Sequence, residues 1–212
     1  MLAVLPNGGL ASGSEENFIQ LWNGDRTGGF LDGHTSSIQT LAVLPDGRLA
    51  SGSWDSTIRL WDVAKRAEIA CLDGHSGWIM ALAALPDGRL ASSNDNTIRL
   101  WDVAKRAEIA RLEGHSGKIK TLAVLSDGRL VSGSNDCTIR LWDAITQCEI
   151  SRLEVDAPIH CLTTLGPTAL LQVTNSGNCT GSRWSINFRM IKDVIMREMD
   201  GKHGCRAHRA PW

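Results

Sequence analysis

The sequence predicts an all-β fold made of copies of one four-stranded antiparallel sheet. Three observations support this prediction. The twelve residues RLWDVAKRAEIA occur twice without a change, at Arg59–Ala70 and Arg99–Ala110. The pairs Gly-His and Trp-Asp each recur three times in phase with that repeat, and short β-prone runs alternate with turn sequences. A period near forty residues indicates a copied unit whose copies stack to bury their faces.

The unit is clearest over residues 38–72. Ile38–Leu44 is a β-prone run, and it is closed by the strong turn signal Pro45–Gly47. Arg48–Ser53, Thr57–Trp61 and Glu68–Leu72 then predict three further strands separated by polar turns. The inner strands are apolar at neighbouring positions, which is typical of a sheet covered on both faces. The charged last strand is expected at an exposed outer edge.

The order Gly-His, Leu-Ala-Ser-Gly-Ser, Asp-x-Thr-Ile-Arg-Leu-Trp-Asp resembles the WD40 repeat of β-propellers. In that family each repeat builds one four-stranded blade, and the blades pack face to face around a channel. The resemblance implies about four to five WD40 β-propeller blades, fewer than the seven this family usually needs. We therefore expect an incomplete or open propeller that is the C-terminal part of a larger signalling or regulatory protein, or that closes by pairing with another copy. The expected units cover 1–32 (truncated), 33–73, 74–113, 114–154 and 155–165 (the start of a broken fifth), followed by a non-repeat tail at 166–212.

The resemblance also implies a buried hydrogen-bonded chain in each good unit, running from Trp through Ser and His to Asp. Ser51 and Ser53 lie on the same face of their strand, so either can hold the hydroxyl position in the first of these chains. Serine, histidine and aspartate together also form the catalytic triad of many hydrolases. A structural role is preferred because an active site has no reason to recur every forty residues, and neither a catalytic residue nor a cofactor or metal is expected. The expected structural residues are His34, Ser51, Asp55 and Trp61; His75, Ser92, Asp95 and Trp101; and His115, Ser132, Asp136 and Trp142.

Two copies depart from the pattern. Met1–Ser14 aligns with Thr40–Ser53, so the first copy has no Gly-His, and Glu16 stands where Asp55 does. A weaker hydrogen-bonded chain is expected there. The third unit is one residue shorter in its second turn, between Ser92 and Asp95. We expect that difference to trim a loop without loss of chemistry.

The copies differ most beside the first-strand isoleucine and before the turn aspartate. In the resembled family these positions surround the channel mouth, where proteins and peptides commonly dock. They predict a face with apolar anchors and lysines that attract acidic groups, although neutral drift on a solvated rim is the alternative. The predicted face comprises Ser37, Gln39, Trp54, Trp78, Met80, Asn94, Lys118, Lys120 and Asn135.

Composition indicates which classes of partner and which cellular compartment to expect. The 212 residues have a net charge of −1, which gives no reason to expect nucleic acid or a membrane surface. Six scattered cysteines without a CxxC pair suit a reducing compartment, and the N-terminus does not resemble a signal peptide. A cytoplasmic location is the resulting expectation. The open blade edges of a partial array also predict self-association.

The tail breaks the pattern. Residues 166–212 contain 7 Lys and Arg against 3 Asp and Glu, whereas residues 1–165 contain 15 against 20. One hypothesis is a degenerate blade; another is an out-of-frame segment, since 166–187 back-translates in a shifted frame to a strand-like sequence and a stop. A short helix through Phe188, Ile191, Ile195 and Met199 would have amphipathic spacing. His203, Cys205 and His208 lack a fourth ligand and are a weak metal set.

These observations predict a non-catalytic protein-interaction scaffold made of WD40 repeats. The first alternative is a structural module that contacts only further domains of its own protein. The second alternative is a hydrolase, which the absence of any non-repeating acid, base or nucleophile cluster disfavours.

Overall fold

In the computed structural model, the described residues are 1–24, 26–165, 170–174 and 183–186. Side chains are described up to Leu162, except that of Arg26. All regular structure in these ranges is β-strand. The strands form five separate antiparallel sheets, in each of which neighbours in sequence are neighbours in space. This is the predicted series of meanders, arranged as blades in an open propeller.

The first two sheets each have four strands. The first contains β1 (Leu2–Val4), β2 (Leu10–Gly13), β3 (Ile19–Asn23) and β4 (Arg26–Leu31). The second contains β5 (Ile38–Val43), β6 (Leu49–Ser53), β7 (Ile58–Asp62) and β8 (Ala67–Leu72).

The next two sheets repeat this plan, and the fifth has three strands. The third contains β9 (Ala81–Ala84), β10 (Leu90–Asn94), β11 (Thr97–Asp102) and β12 (Ala107–Leu112). The fourth contains β13 (Ile119–Val124), β14 (Leu130–Ser134), β15 (Thr138–Asp143) and β16 (Cys148–Glu154). The fifth contains β17 (Cys161–Leu165), β18 (Leu170–Thr174) and β19 (Arg183–Ile186).

The turn between the first two strands of a sheet has the geometry that its sequence predicts. The Leu44 N–H donates to the Arg48 carbonyl at 2.8 Å, and the Gly47 N–H donates back to Leu44 at 2.9 Å. Gly47 has φ +87°, a conformation that disfavours a side chain. Arg48 Nε donates to Asp46 Oδ2 at 2.7 Å, which ties the turn's own side chains together. The Pro-Asp-Gly-Arg sequence therefore specifies a tight connection.

Neighbouring sheets pack through an isoleucine that begins the first strand or stands two residues before it. Ile79 is fully buried, and its N–H donates to the Ser53 carbonyl of the second sheet at 3.1 Å. The isoleucine side chain packs on Gly52, where an added Cβ would lie 2.5 Å from Ile79 Cγ2 and 2.7 Å from Thr40 Cγ2. The same backbone bond recurs at Ile38, Ile119 and Ile159.

The third sheet meets this packing constraint with a different pair of residues. In the second and fourth sheets a threonine stands opposite the packing glycine, as at Thr40 and Gly52. In the third sheet Ala81 stands opposite Ser93. The smaller first-strand residue makes room for the larger second-strand residue. The two strands therefore fill the space between the sheets with a different division of volume between them.

The first sheet has one face that no other described sheet covers. Leu2 and Val4 align with Leu41 and Val43, which pack against the preceding sheet. Leu2 is 69% exposed and Val4 70% exposed. The arc of sheets therefore ends here on a face with the apolar residues of a sheet-to-sheet contact.

The fifth sheet extends beyond the predicted repeat region. Its first strand follows Ile159, as expected, but β18 and β19 come from the segment that the sequence assigns to a non-repeat tail. The predicted helix through Phe188, Ile191, Ile195 and Met199 lies outside the described residues. So does the weak ligand set His203, Cys205 and His208.

We predict that Gly52→Ala destabilises the chain by about 1–3 kcal/mol, because the new methyl group would collide with Ile79 and Thr40. Urea unfolding followed by tryptophan fluorescence measures the change. Gly77→Ala is the matched control, because its added Cβ would have no neighbour nearer than 3.5 Å. Equal unfolding midpoints for the two variants would contradict the packing role of Gly52.

Candidate functional site

The second sheet contains a complete chain of buried polar side chains. Trp61 Nε1 donates to Ser51 Oγ at 2.8 Å. Ser51 Oγ lies 2.7 Å from His34 Nε2, and His34 Nδ1 lies 2.7 Å from Asp55 Oδ2. Ser51, not Ser53, therefore holds the hydroxyl position. Ser53 instead donates to the Ser36 carbonyl at 2.9 Å.

The fourth sheet repeats this chain. Trp142 Nε1 donates to Ser132 Oγ at 2.8 Å, and Ser132 Oγ lies 2.6 Å from His115 Nε2. His115 Nδ1 lies 2.8 Å from Asp136 Oδ2. Ser132 is fully buried. The structure thus brings together all four predicted residues in two of the three sheets.

The chemistry of the groups sets the direction of each chain. An indole N–H can only donate, so the serine oxygen accepts from tryptophan and turns its own proton toward His Nε2. The histidine then carries its proton on Nδ1 and donates to the carboxylate. Burial lowers the pKa of His34 although the hydrogen bond to Asp55 opposes that shift, so the ring is neutral at pH 7. The His–Asp contact is a hydrogen bond from a neutral ring.

The carboxylate at the end of the chain is held by several donors. The Thr35 N–H donates to Asp55 Oδ2 at 3.0 Å, and the Thr57 hydroxyl donates to Asp55 Oδ1 at 2.7 Å. Burial raises the pKa of Asp55, but these hydrogen bonds and the one from His34 outweigh it and bring the pKa to about 2. Ser116 and Thr138 hold Asp136 in the same way. No role was predicted for the threonine at Thr57 and Thr138, although Thr recurs at this position in the second, third and fourth sheets.

The third sheet lacks the last link, so the prediction for Asp95 is wrong. Trp101 Nε1 donates to Ser92 Oγ at 2.7 Å, and Ser92 Oγ lies 2.6 Å from His75 Nε2. The Asp95 side chain is 64% exposed, and its Oδ1 lies 3.8 Å from Lys118 Nζ. His75 Nδ1 is buried without a hydrogen-bond partner among the described residues.

The shorter turn explains the loss. In the third sheet Asn94 pairs with Thr97, so only Asp95 and Asn96 connect β10 to β11. In the second and fourth sheets the ladder ends earlier, at Gly52 opposite Ile58 and at Gly133 opposite Ile139. The longer turn brings its aspartate back to the histidine, whereas the two-residue turn directs Asp95 into solvent. The missing residue therefore removes chemistry as well as loop length.

The first sheet retains only the start of the chain. Trp22 Nε1 donates to Ser12 Oγ at 2.8 Å. Among the residues that the structure describes, no histidine continues this chain from Ser12. Glu16 is exposed.

A second polar contact lies over each Gly-His pair, and the sequence analysis did not identify it. Arg99 Nη1 donates to Glu108 Oε2 at 2.6 Å and to the Gly74 carbonyl at 2.7 Å. An added Cβ on Gly74 would lie 3.3 Å from Arg99 Nη1 and from Trp101 Cη2. Gly74 also has φ +144°. The glycine therefore allows an arginine and an indole ring to approach the backbone closely.

Side chains in the connections of three successive sheets, the second to the fourth, form an aromatic row. The rings of Trp54 and Trp78 stack with centroids 4.5 Å apart and planes inclined by 18°. Lys118 Nζ lies 5.8 Å from the centroid of the Trp78 ring. Trp78 is 51% exposed. We call Trp54, Trp78 and Lys118 the aromatic row.

The other predicted face residues divide by exposure. Asn135 is exposed, whereas Gln39, Met80 and Lys120 are half-buried. Ser37 and Asn94 are buried, so the prediction that their side chains form part of an exposed face is wrong. Asn94 Nδ2 donates to the Gly77 carbonyl at 3.0 Å and thereby fixes the short turn.

Comparison with known families agrees with this architecture. The profile of the WD domain, G-beta repeat family matches the chain at residues 26–62, 66–102 and 106–143. The chain belongs to the WD40 repeat family. Each matched WD40 segment begins with the outermost strand of one sheet and ends with the third strand of the next. A repeat of this protein is therefore shared between two blades. No curated protein matches the chain.

Two further observations concern other kinds of site. Within the ranges that the structure describes, no group of three His, Cys, Asp or Glu side chains is placed to hold a metal ion. The same ranges contain no helix with the length and apolar character needed to cross a bilayer.

We predict that Asp136→Ala lowers the free energy of unfolding by about 2–4 kcal/mol, because it leaves buried donors at His115 and Thr138 without an acceptor. Asp95→Ala is the matched control and should change it by less than about 0.5 kcal/mol, because Asp95 is exposed. Urea unfolding at pH 7 measures both. Equal losses would contradict the different roles of these aspartates.

The stability of the chain should also depend on His75 in acid. Burial and the nearby Arg99 guanidinium lower the pKa of His75 to about 3, whereas an unfolded histidine titrates near 6.5. The neutral ring therefore favours the folded state above pH 6.5, and this contribution is lost as the pH falls below that value. We predict that His75→Gln flattens the slope of unfolding free energy between pH 6 and 4 by up to about 1.4 kcal/mol per pH unit. Urea unfolding at four pH values tests this, with exposed His160→Gln as control; an unchanged slope in His75→Gln would refute it.

Proposed function

We propose that this chain is a non-catalytic protein-interaction scaffold, and that its partner binds the aromatic row. WD40 domains generally bind proteins. The observation that carries the proposal is the stack of Trp54 and Trp78, which places a half-exposed indole at the boundary between two blades. Aromatic side chains held in this way are frequent binding anchors, because little conformational entropy remains to be lost.

The differences between copies support the same face. The packing residues of the second, third and fourth sheets are nearly identical, but Ser37, Trp78 and Lys118 occupy one equivalent position. Variation at one exposed position beside invariant packing residues is expected where the copies contribute different contacts to a partner. The lysine beside the indole ring favours a partner with acidic groups next to an apolar side chain.

The burial of the serine hydroxyls supports a non-catalytic role. Ser51 and Ser132 are fully buried, and each already accepts a hydrogen bond from a tryptophan N–H. A nucleophile must reach a substrate carbonyl. The Ser-His-Asp sets are better suited to holding a blade together than to hydrolysis.

The alternative function is a structural module within a longer or oligomeric array. The free face of the first sheet favours it, because Leu2 and Val4 expose the residues that elsewhere pack against a preceding blade. Further blades of a longer chain, or another copy of this chain, would cover that face. Such a module would use its open ends and would not depend on the aromatic row.

We predict that Trp78→Ala with Lys118→Glu reduces capture of the partner from cell extract by at least tenfold, since it removes the apolar anchor and reverses the charge beside it. Quantitative mass spectrometry of affinity-purified full chain measures the capture.

The control is Ile109→Ala with Lys105→Glu, a matched pair of changes on the outer strand and its turn, where both residues are exposed. Folding of each variant is checked by thermal unfolding. A partner list that is the same for wild type and both folded variants would favour the structural module.

A further inference from the structure

The third sheet contains a buried hydrogen-bond donor without an acceptor. His75 is 8% exposed, and its Nδ1 has no hydrogen-bond partner among the described residues. The equivalent atoms of His34 and His115 each contact a carboxylate oxygen, at 2.7 Å and 2.8 Å. A buried polar atom that is unpaired in one copy and paired in its two sisters points to a missing acceptor.

The hydrogen-bond chain shows which kind of group His75 lacks. Trp101 Nε1 donates to Ser92 Oγ, so the Ser92 proton points toward His75 Nε2. The His75 proton is therefore on Nδ1. A group that satisfies this atom must accept a hydrogen bond, which excludes amine and guanidinium groups as ligands.

The sister sheets show what such an acceptor requires. In each, one carboxylate bonds the histidine Nδ1, the N–H of the next residue and a threonine hydroxyl, with distances between 2.6 Å and 3.0 Å. The third sheet has the corresponding groups in His75, Ser76 and Thr97. Neither the Ser76 N–H nor the Thr97 hydroxyl donates to a described side chain. The third sheet thus keeps the residue types of the sister sites after losing its own aspartate, although Thr97 does not contact His75 Nδ1 as Thr57 and Thr138 contact their histidines.

The exposure and the charges around His75 suit an anion. Ser76 and Asn96 are exposed, so the donors are close to solvent. Arg99 and Arg111 both make the electrostatic potential at His75 more positive, and Glu108 opposes them. Asp95 stands outside the turn beside Lys118, which offsets its charge.

We propose that His75, Ser76 and Thr97 form a carboxylate-binding site that takes an aspartate or glutamate side chain of the partner. Ser76 stands two residues before Trp78 in the chain, so one acidic residue and one apolar residue of the same partner segment would engage both. The partner as the source of the carboxylate rests on the proposed function, but the site itself does not.

Formate is the probe for the site, because it is the smallest carboxylate. Nitrogen-15 NMR of the full chain follows the imidazole of His75 during a formate titration at pH 7, with chloride holding the ionic strength constant. The expected result is a saturable change at His75 Nδ1–H and a rise in Tm of about 2–5 °C near saturation. No change at His75 would overturn the site.

Two variants calibrate this titration. Asp55→Gly removes the carboxylate beside His34, so formate should restore stability there and prove that the probe reaches such donors. Replacing Ser93–Asn96 with the fourth-sheet sequence Gly-Ser-Asn-Asp-Cys supplies an internal carboxylate to His75. This second variant should be more stable and should not respond to formate. A formate response at His75 that persists in it would place the probe elsewhere and contradict the proposal.

A competition arm tests the source of the carboxylate. Formate at saturation should reduce capture of the partner by wild type at least fivefold, whereas equal chloride should not. Undiminished capture, with the formate response at His75 intact, would overturn the partner's carboxylate as the ligand and leave the aromatic row unaffected. Trp78→Ala alone leaves the charges around His75 unchanged, so loss of its capture with an intact formate response at His75 tests the aromatic row, and the two proposals fail separately.

Discussion

The fixed polarity of the buried tryptophan N–H constrains the rest of each blade. An indole can donate a hydrogen bond and cannot accept one. Each group after it must therefore accept from the group before and donate to the group that follows. The chain has to end on an acceptor, and in a buried site a carboxylate surrounded by donors is the strongest available. Asp55 and Asp136 fill that role, with threonine and backbone N–H groups completing their coordination. The blade core is thus specified by hydrogen-bond direction as well as by apolar volume.

Contact between blades depends on a second constraint, which is the distance at which two sheets can approach. The isoleucine of one first strand enters the space beside a glycine of the preceding sheet, and its N–H bonds a carbonyl of that sheet. Thr121 Oγ1 also accepts from the Leu162 N–H at 3.1 Å across the same kind of boundary. All of these contacts join neighbours only. Stability in such an array therefore accumulates blade by blade.

The sequence predicted the repeated sheets because they leave a periodic signal, and it predicted the buried polar chains through its resemblance to the WD40 repeat. Trp61, Trp101 and Trp142 recur in phase, and turn sequences separate the β-prone runs. The prediction from sequence failed at Asp95. The aspartate is retained there, but the turn before it is one residue shorter, and this changes where its side chain points. The sequence also could not separate the buried Asn94 from the exposed Asn135, because turn length decides which of them folds back on the sheet. A turn that is one residue shorter changes where its side chains point, and a pattern of residue types does not record that change.

The sharing of each repeat between two blades has a consequence for how this gene can change. The two identical segments, 59–70 and 99–110, each run from the third strand of a blade, through its turn, into the fourth. Unequal recombination between their coding sequences would join β7 to β12 through an unaltered turn and remove forty residues. Every surviving strand would keep a partner of its usual sequence, and the reverse exchange would add a blade in the same way. The number of blades can thus evolve by whole units without passing through a broken sheet.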